Sequence, residues 1–438
     1  MERKKVIVIG GGFGGLSLIH KLRNKPFDLV LLDKHNHHNF QPLLYQVATC
    51  GLSAVSIATP FRRLFHGYRN FSFYMTEVTR IVPKENRVET TIGDFTYDYL
   101  VIATGSETNY YGNENFEKNC MEMKTLNDAI SIRNTLLEQF EKAVIYNCPD
   151  DRKIMLNFVV IGGGATGVEL AGALAEFRHH IIPKDYPSID PSMMNIHLIE
   201  AGNRLLGSMS EGASAKAGKY LEHMGVKVWL STRVSNYDGL NITLTDGTVL
   251  RSSFFIWAAG VKGKLIPGLP AEAAQKSRII VDEFNRVSGF DNLFALGDVA
   301  MMVTPDHPKG YPMLAFPAMQ QGTNLGRNLF RISQGKELKK FRYIELGTLA
   351  TVGRNRAVAD LPLFNTQGFF AWFLWMGIHL IRITGFRNRI IAFSDWIWNY
   401  FTYAFSYRII VRTIPSKFDP PLFRKNRLRE DKSNPSVS

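Results

Sequence analysis

Short apolar runs that end in glycine set the pattern of this chain. Val6-Ile7-Val8-Ile9 runs into Gly10-Gly11-Gly12-Phe13-Gly14-Gly15, and Phe158-Val159-Val160-Ile161 runs into Gly162-Gly163-Gly164-Ala165-Thr166-Gly167. Each run is short and rich in β-branched residues, so it reads as a buried strand. The glycines read as a tight turn, and the Leu- and Ala-rich residues after them as a helix. Each unit continues to another apolar run closed by an acid, Asp33 in LVLLDK and Glu200 in IHLIEA. A strand–turn–helix–strand unit that occurs twice predicts two nucleotide-binding domains with parallel sheets.

Three further strand-like segments end in small residues: YDYLVIATGS (residues 97–106), FFIWAAGV (residues 254–261) and LFALGDVA (residues 293–300). Asp246-Gly247 within NITLTDGTVL marks a hairpin. The expected fold is α/β, with two Rossmann-like domains. The first takes residues 1–115 and 283–365, and the second is inserted at 116–282. Aromatic residues then crowd between Phe369 and Tyr407, defining a helical region at 366–415. The polar, basic residues 416–438 read as a disordered tail.

Gly10, Gly12 and Gly15 satisfy G-x-G-x-x-G between a strand and a helix. The first permits the turn, the second lets a pyrophosphate approach the backbone, and the third lets helix and strand pack closely. The phosphate would sit at a helix N-terminus, where N–H groups and the dipole favour negative charge. Asp33 closes the next strand, where a carboxylate accepts bonds from ribose hydroxyls. Gly162, Gly164 and Gly167 repeat the arrangement, with Glu200 as the acid. An insertion at about residues 178–195 lengthens the gap between them. A carboxylate at Glu200 repels a 2′-phosphate, which favours NADH over NADPH, and Arg204 weakens that exclusion slightly. Glu169 is expected in the first turn of the helix after the second set of glycines. A carboxylate there suits the helix dipole, or serves as a polar group beside nicotinamide and flavin.

The formal net charge of +13 favours an anionic partner: nucleotide phosphates, an acidic membrane surface or nucleic acid. The cations are not gathered in a recognised nucleic-acid module, and two dinucleotides already need them, so no nucleic-acid partner is expected. Cys50, Cys120 and Cys148 are widely spaced, with no zinc pattern and no CxxC pair, as in a reducing compartment. Cys50 reads as a packing residue. His35, His37 and His38 lack further ligands at metal spacing and read as a solvated or phosphate-facing loop; no metal is expected. No stretch reaches about 18 uninterrupted apolar residues, so no spanning helix is expected.

Together these motifs resemble the type II NADH:quinone oxidoreductases, single-subunit FAD enzymes of the two-dinucleotide-binding superfamily. The resemblance runs over about residues 4–412. It rests on VIVIGGGFGGL, FQPLLYQVAT (residues 40–49), YDYLVIATGS, VVIGGGATGVELAGALAE, WAAGV, FALGDVA and FRNRI (residues 386–390). It implies FAD at the first cradle, held by Gly10, Gly12, Phe13, Gly14, Gly15, Asp33, Lys34, Val78, Ala103, Thr104, Gly105 and Asp298. It implies NADH at the second cradle, held by Gly162, Gly164, Gly167, Glu200, Ala259 and Gly260. Glu169 is then the candidate for nicotinamide positioning or proton relay. Gln46, Gln320 and Gln321 are candidates for the quinone side. The family's A-Q-x-A-x-Q-like stretch reads Ala315-Phe316-Pro317-Ala318-Met319-Gln320 here. Phe316 therefore replaces a glutamine and removes a hydrogen-bond donor from the quinone pocket.

The resemblance implies a non-proton-pumping enzyme that passes a hydride from NADH to FAD and then reduces a membrane quinone. The segment from Phe369 to Tyr407 mixes dense aromatics with Arg382, Arg387 and Arg389. Trp and Tyr favour the membrane interface and arginines favour anionic head groups, so this region reads as a monotopic anchor in one leaflet. A homodimer on the cytoplasmic face of the cell inner membrane completes the expectation. The alternatives are a soluble NADH:acceptor reductase and a flavin-binding redox sensor.

Overall fold

The computed structural model describes residues 3–146 and 148–411. The chain folds into two compact units. The first comprises the residues up to Asn39, Ala58–Thr108 and Val261–Leu346; the second comprises Phe40–Ile57, Asn109–Gly260 and the chain from Gly347 onward.

The core of the first unit is a parallel sheet in the order Leu293–Ala295, Tyr99–Ile102, Lys4–Ile9, Phe27–Asp33, Phe71–Met75. Its central strands are almost wholly buried, which explains their unbroken apolar runs. The second unit repeats the plan in the order Met121–Glu122, Phe254–Trp257, Asn157–Ile161, Asn195–Ile199, Lys227–Trp229. In both sheets the glycine-bearing strand is central. The acid-ending strand lies on one side, and the strand leading into ATG or WAAG on the other. The expected hairpin joins Asn241–Leu244 to Val249–Arg251, with Gly247 at φ +87°.

The units divide differently from the boundaries read off the pattern. Ser106–Thr108 pairs antiparallel with Val261–Gly263, and Arg278–Val281 pairs parallel with Ala300–Met302, so residues 261–282 belong to the first unit. The Leu44–Ala48 helix packs on Leu126–Ile145 in the second unit. There too lies an antiparallel sheet of Thr348–Thr351, Ala357–Asp360 and Asn365–Gln367, packed against the Ala165–His180 helix. Long-range pairing decided these allegiances, and it leaves no local signal.

Two aromatic helices follow, Phe369–Arg382 and Phe386–Thr402. The first buries Ala371 and Trp375, and the second buries Asn388 and Ala392. Phe369, Phe370, Phe373, Phe386, Phe393, Trp398 and Phe401 stay exposed. Among the described residues no helix is long and apolar enough to cross a membrane. The expected tail at 416–438 and the last residues of the 366–415 region lie outside the described residues.

Candidate active site

The two glycine turns are built alike, bond for bond. Gly10 N donates to Leu32 O at 2.9 Å, and Gly162 N donates to Ile199 O at 2.8 Å. Gly11 N donates to Asp33 Oδ2 at 2.7 Å, and Gly163 N donates to Glu200 Oε2 at 2.5 Å. Each acid thus clamps the middle of its own turn, and its second oxygen accepts another backbone N–H, from His35 or Gly202. Gly10 and Gly162 sit at φ +102° and +107°, where a side chain would be strained. A Cβ on Gly15 would press on the Gly10 carbonyl, and one on Gly167 on the Gly162 carbonyl, so helix and turn are in direct contact.

The outer glycines, Gly12 and Gly164, face open space. Each is the N-cap of its helix; no side chain caps either helix, and neither has an acid in its first turn. That leaves helix-start N–H groups and a positive dipole end facing a volume that a Cβ would fill, which suits a phosphate. Gly14 plays another part. It packs under Leu296 and Ala318, and Gly322 of the Ala315–Ile332 helix rests on its carbonyl.

Around the first turn, Ala103 N bonds Ile9 O at 2.8 Å, bringing Thr104 and Gly105 to the rim. Thr104 Oγ1 donates to Lys264 O at 2.6 Å, and Ser106 Oγ donates to Asp298 Oδ2 at 2.6 Å. Gln321, almost fully buried, accepts the Gly297 N–H at 2.7 Å and so holds the ALGD turn beside Asp298. Val78 opens the Val78–Val82 strand and is half-buried. Lys34 and Lys264 lie side by side. Burial, and then the Lys34 ammonium, lower the Lys264 pKa. Two ammonium groups held together are relieved by an anion, and these features fit FAD. Lys264 and Ser106 escaped the sequence reading; only Ser106 had a signal, its place in ATGS.

In the second unit, Gly260 has φ +130°, and Tyr111 Oη donates to Ala259 O at 3.0 Å, a contact the motif gave no hint of. The Arg204 guanidinium donates to Met209 O and Gly207 O at 2.7 and 2.8 Å. Bonded to those carbonyls, it is less able to offset the Glu200 charge.

Glu169 is the fifth residue of the Ala165–His180 helix, beyond the first turn where the dipole acts. It is buried, and burial pushes its carboxyl up to about 8, opposed by the Thr351 N–H and by Trp375. Gln46 lies in the same unit, with Oε1 accepting from Trp396 Nε1 at 2.7 Å and Nε2 donating to Tyr45 Oη at 3.0 Å. Gln320 and Gln321 lie in the first unit on the Ala315–Ile332 helix, with Phe316 in its first turn. Gln320 exchanges both bonds with the Ile344 backbone, at 2.8 and 2.9 Å.

The histidines do not form a solvated cluster throughout. His35 is exposed, but His38 is buried where its strand pairs with Thr59, and its Nδ1 bonds Gly11 O at 3.0 Å. Burial lowers it to about 4, so it is a neutral brace of the first turn. All three cysteines are free, Cys50 and Cys120 buried and Cys148 exposed. Burial pushes the Cys50 thiol up to about 12, which suits packing rather than thiolate chemistry.

The duplicated cradles define a two-dinucleotide-binding oxidoreductase. Residues 4–322 match the family described as pyridine nucleotide-disulphide oxidoreductase, and residues 346–403 match the NDH2 C-terminal domain. The chain is 33% identical over 414 residues to the type II NADH:quinone oxidoreductase Ndh of Mycobacterium tuberculosis, covering 90% of this chain and 88% of that one. It is 30% identical over 416 residues to the type II NADH:quinone oxidoreductase of Haemophilus influenzae, covering 86% and 92%. Among solved structures, NDH2 from Plasmodium falciparum in complex with NADH superposes with a TM-score of 0.86 at 22% identity, over 94% of this chain and 100% of that one. The chain belongs to the type II NADH:quinone oxidoreductase family. It is an FAD-dependent NADH dehydrogenase, with FAD and NADH as its two dinucleotides.

Proposed function

We propose that the first cradle holds FAD and the second NADH, and that the electrons leave to a membrane quinone, with Glu169 as the proton-carrying group and Gln46, Gln320 and Gln321 each a candidate for contact with the quinone. Bound FAD supplies the redox chemistry, accepting a hydride equivalent and releasing two electrons. The chain's own residues bind, orient and move protons around it. Asp298, with Ser106 and Thr104, positions the flavin nucleotide. The Glu200 carboxylate accepts bonds from the adenosine ribose and repels a 2′-phosphate. Gly260, at φ +130°, lets the Tyr111 hydroxyl occupy the space a side chain would take beside Ala259, at the rim where the nicotinamide is expected.

The observation that carries this reading is Glu169. Its carboxyl, ordinarily at 4.5, is pushed up to about 8 by burial, so it holds a proton at neutral pH. Reducing a quinone to a quinol consumes protons, and a buried acid poised near neutrality suits that transfer. Steady-state oxidation of NADH and NADPH with a water-soluble quinone tests the assignment. NADH should be preferred by about a hundredfold, and Glu200→Gln should shrink that preference to about tenfold or less. Flavin that NADH bleaches but no quinone reoxidises would overturn it.

We further propose that the enzyme lies on one leaflet as a monotopic protein, on the cytoplasmic face of the cell inner membrane. Phe370, Phe386 and Phe401 are each 77% exposed on the two C-terminal helices, and Leu363 is 92% exposed at a neighbouring hairpin tip. So much exposed aromatic surface is costly in water and favourable in lipid. A homodimer that shares this aromatic face with lipid belongs to the same proposal. Replacing both Phe370 and Phe401 by Glu should cut flotation with anionic vesicles by about tenfold or more, since each buried Phe is worth about 1.5–3 kcal/mol. Turnover with a water-soluble quinone should persist; unchanged flotation would refute the anchor.

A further inference from the structure

Between the helix Phe386–Thr402 and Glu169 runs a chain of side chains of which the reaction as described uses only Gln46. Trp396 Nε1 meets Gln46 Oε1 at 2.7 Å; Gln46 Nε2 meets Tyr45 Oη at 3.0 Å; Tyr45 Oη meets Thr351 Oγ1 at 3.1 Å. The Thr351 N–H then points to Glu169 Oε1 at 3.4 Å. Tyr45 and Thr351 are buried.

The direction of this chain follows from its far end. An indole N–H only donates, so the Gln46 atom facing Trp396 must be the carbonyl oxygen. That orients the Gln46 amide with its NH₂ toward Tyr45, which accepts from it. The Tyr45 hydroxyl in turn shares a hydrogen bond with Thr351 Oγ1, in which either oxygen can donate. Trp396, at sequence separation 350 from Gln46, thus fixes the amide orientation up to Tyr45, which holds the Thr351 side chain, while the backbone N–H of the same threonine is the donor that meets Glu169.

We infer that Tyr45 and Trp396 are positioning residues for the reaction: through Gln46 they seat Thr351, whose backbone N–H meets the Glu169 carboxyl group. The inference rests on the reading of Glu169 as the proton-carrying group. Trp396 stands two residues before the exposed Trp398, so the seating of the lipid-facing helix is transmitted to Glu169. The ionisable groups nearest this chain are Tyr45 from the Leu44–Ala48 helix and Glu176 on the Glu169 helix itself, which Arg354 and Arg356 face. His379 stacks on Trp375 at 4.0 Å and is held neutral, at about 4, by burial.

The Thr351 N–H favours the ionised Glu169 carboxyl, so loosening Thr351 by removing the Tyr45 hydroxyl that seats its side chain weakens that donor and raises the proton affinity of Glu169. The test uses the flavin-loaded enzyme without turnover, following the C=O stretch of the protonated carboxyl by difference infrared across pH. In Tyr45→Phe the band should persist to a pH higher by roughly half to one unit. In Trp396→Phe the shift should have the same sign and be smaller, because the freed amide can turn over. The falling limb of turnover with a water-soluble quinone should move in step. Lost activity with both limb and band at the parent pH would mean a merely structural role and overturn the inference. Should Trp396→Phe melt at lower temperature, Tyr45→Phe decides alone, since it keeps the ring and removes only the hydroxyl. In Glu169→Gln the band should vanish; if it stays, the proton-carrying reading of Glu169 fails, a result distinct from failure of the chain.

Discussion

Glu169→Gln is expected to slow quinone-dependent reoxidation of the flavin by about a hundredfold or more, the usual loss when a positioned acid is removed. Reduction of the flavin by NADH should change much less, because the amide keeps the shape and polarity of the carboxyl. Stopped-flow measurement of the two half-reactions separates them, and an equal loss in both would refute the assignment. The same substitution should stabilise the protein in alkali. Burial raises the Glu169 carboxyl from 4.5 to about 8, so in that window the folded chain holds a proton that the unfolded chain has released. Fewer protons in the unfolded state mean that stability falls as pH rises through the window. Glutamine stays neutral throughout, so the variant should melt higher than the parent above about pH 8, by a few degrees. Both outcomes together would mark Glu169 as a buried acid kept at a cost in stability for function rather than for packing.

The second large effect concerns the cradles. Gly15→Ala puts a methyl against the Gly10 carbonyl, and Gly167→Ala puts one against the Gly162 carbonyl. Neither obstacle can swing aside, because both are backbone of the turn itself. Gly15→Ala should therefore purify with about a tenth or less of the parent's flavin. Gly167→Ala should stay yellow and still bleach with dithionite, while its reduction by NADH slows by about a hundredfold. Flavin absorbance and anaerobic titration read both outcomes. Loss of flavin from Gly167→Ala would mean that the two cradles are not separate sites; rapid reduction of that variant by NADH would remove the second cradle from the reaction.

The legible parts of this protein were the short-range ones. A strand, three glycines, a helix and a terminal acid lie within about forty residues, and their spacing carries the geometry of the turn. Hence Asp33 and Glu200 could be named from the pattern, and both clamp their turns through backbone N–H groups. The C-terminal aromatics were equally plain, because an exposed apolar helix must interrupt the usual alternation. His38 shows the limit: its neighbours suggested a solvated loop, but pairing with Thr59 buried it.

By itself, then, the sequence determined two Rossmann-like units, two dinucleotides and an aromatic carboxyl-terminal region, since each is written in local periodicity and turn chemistry. Tertiary structure alone decided the rest. It set Lys264 beside Lys34 and Ser106 on Asp298, at sequence separation 192. It assigned residues 40–57 and 347–365 to the second unit. Above all it made Glu169 an acid that keeps its proton at neutral pH, because the groups that bury and hold it, Thr351 and Trp375, arrive from the far end of the chain. Burial is a property of neighbours, and neighbours distant in sequence leave no mark in the local pattern.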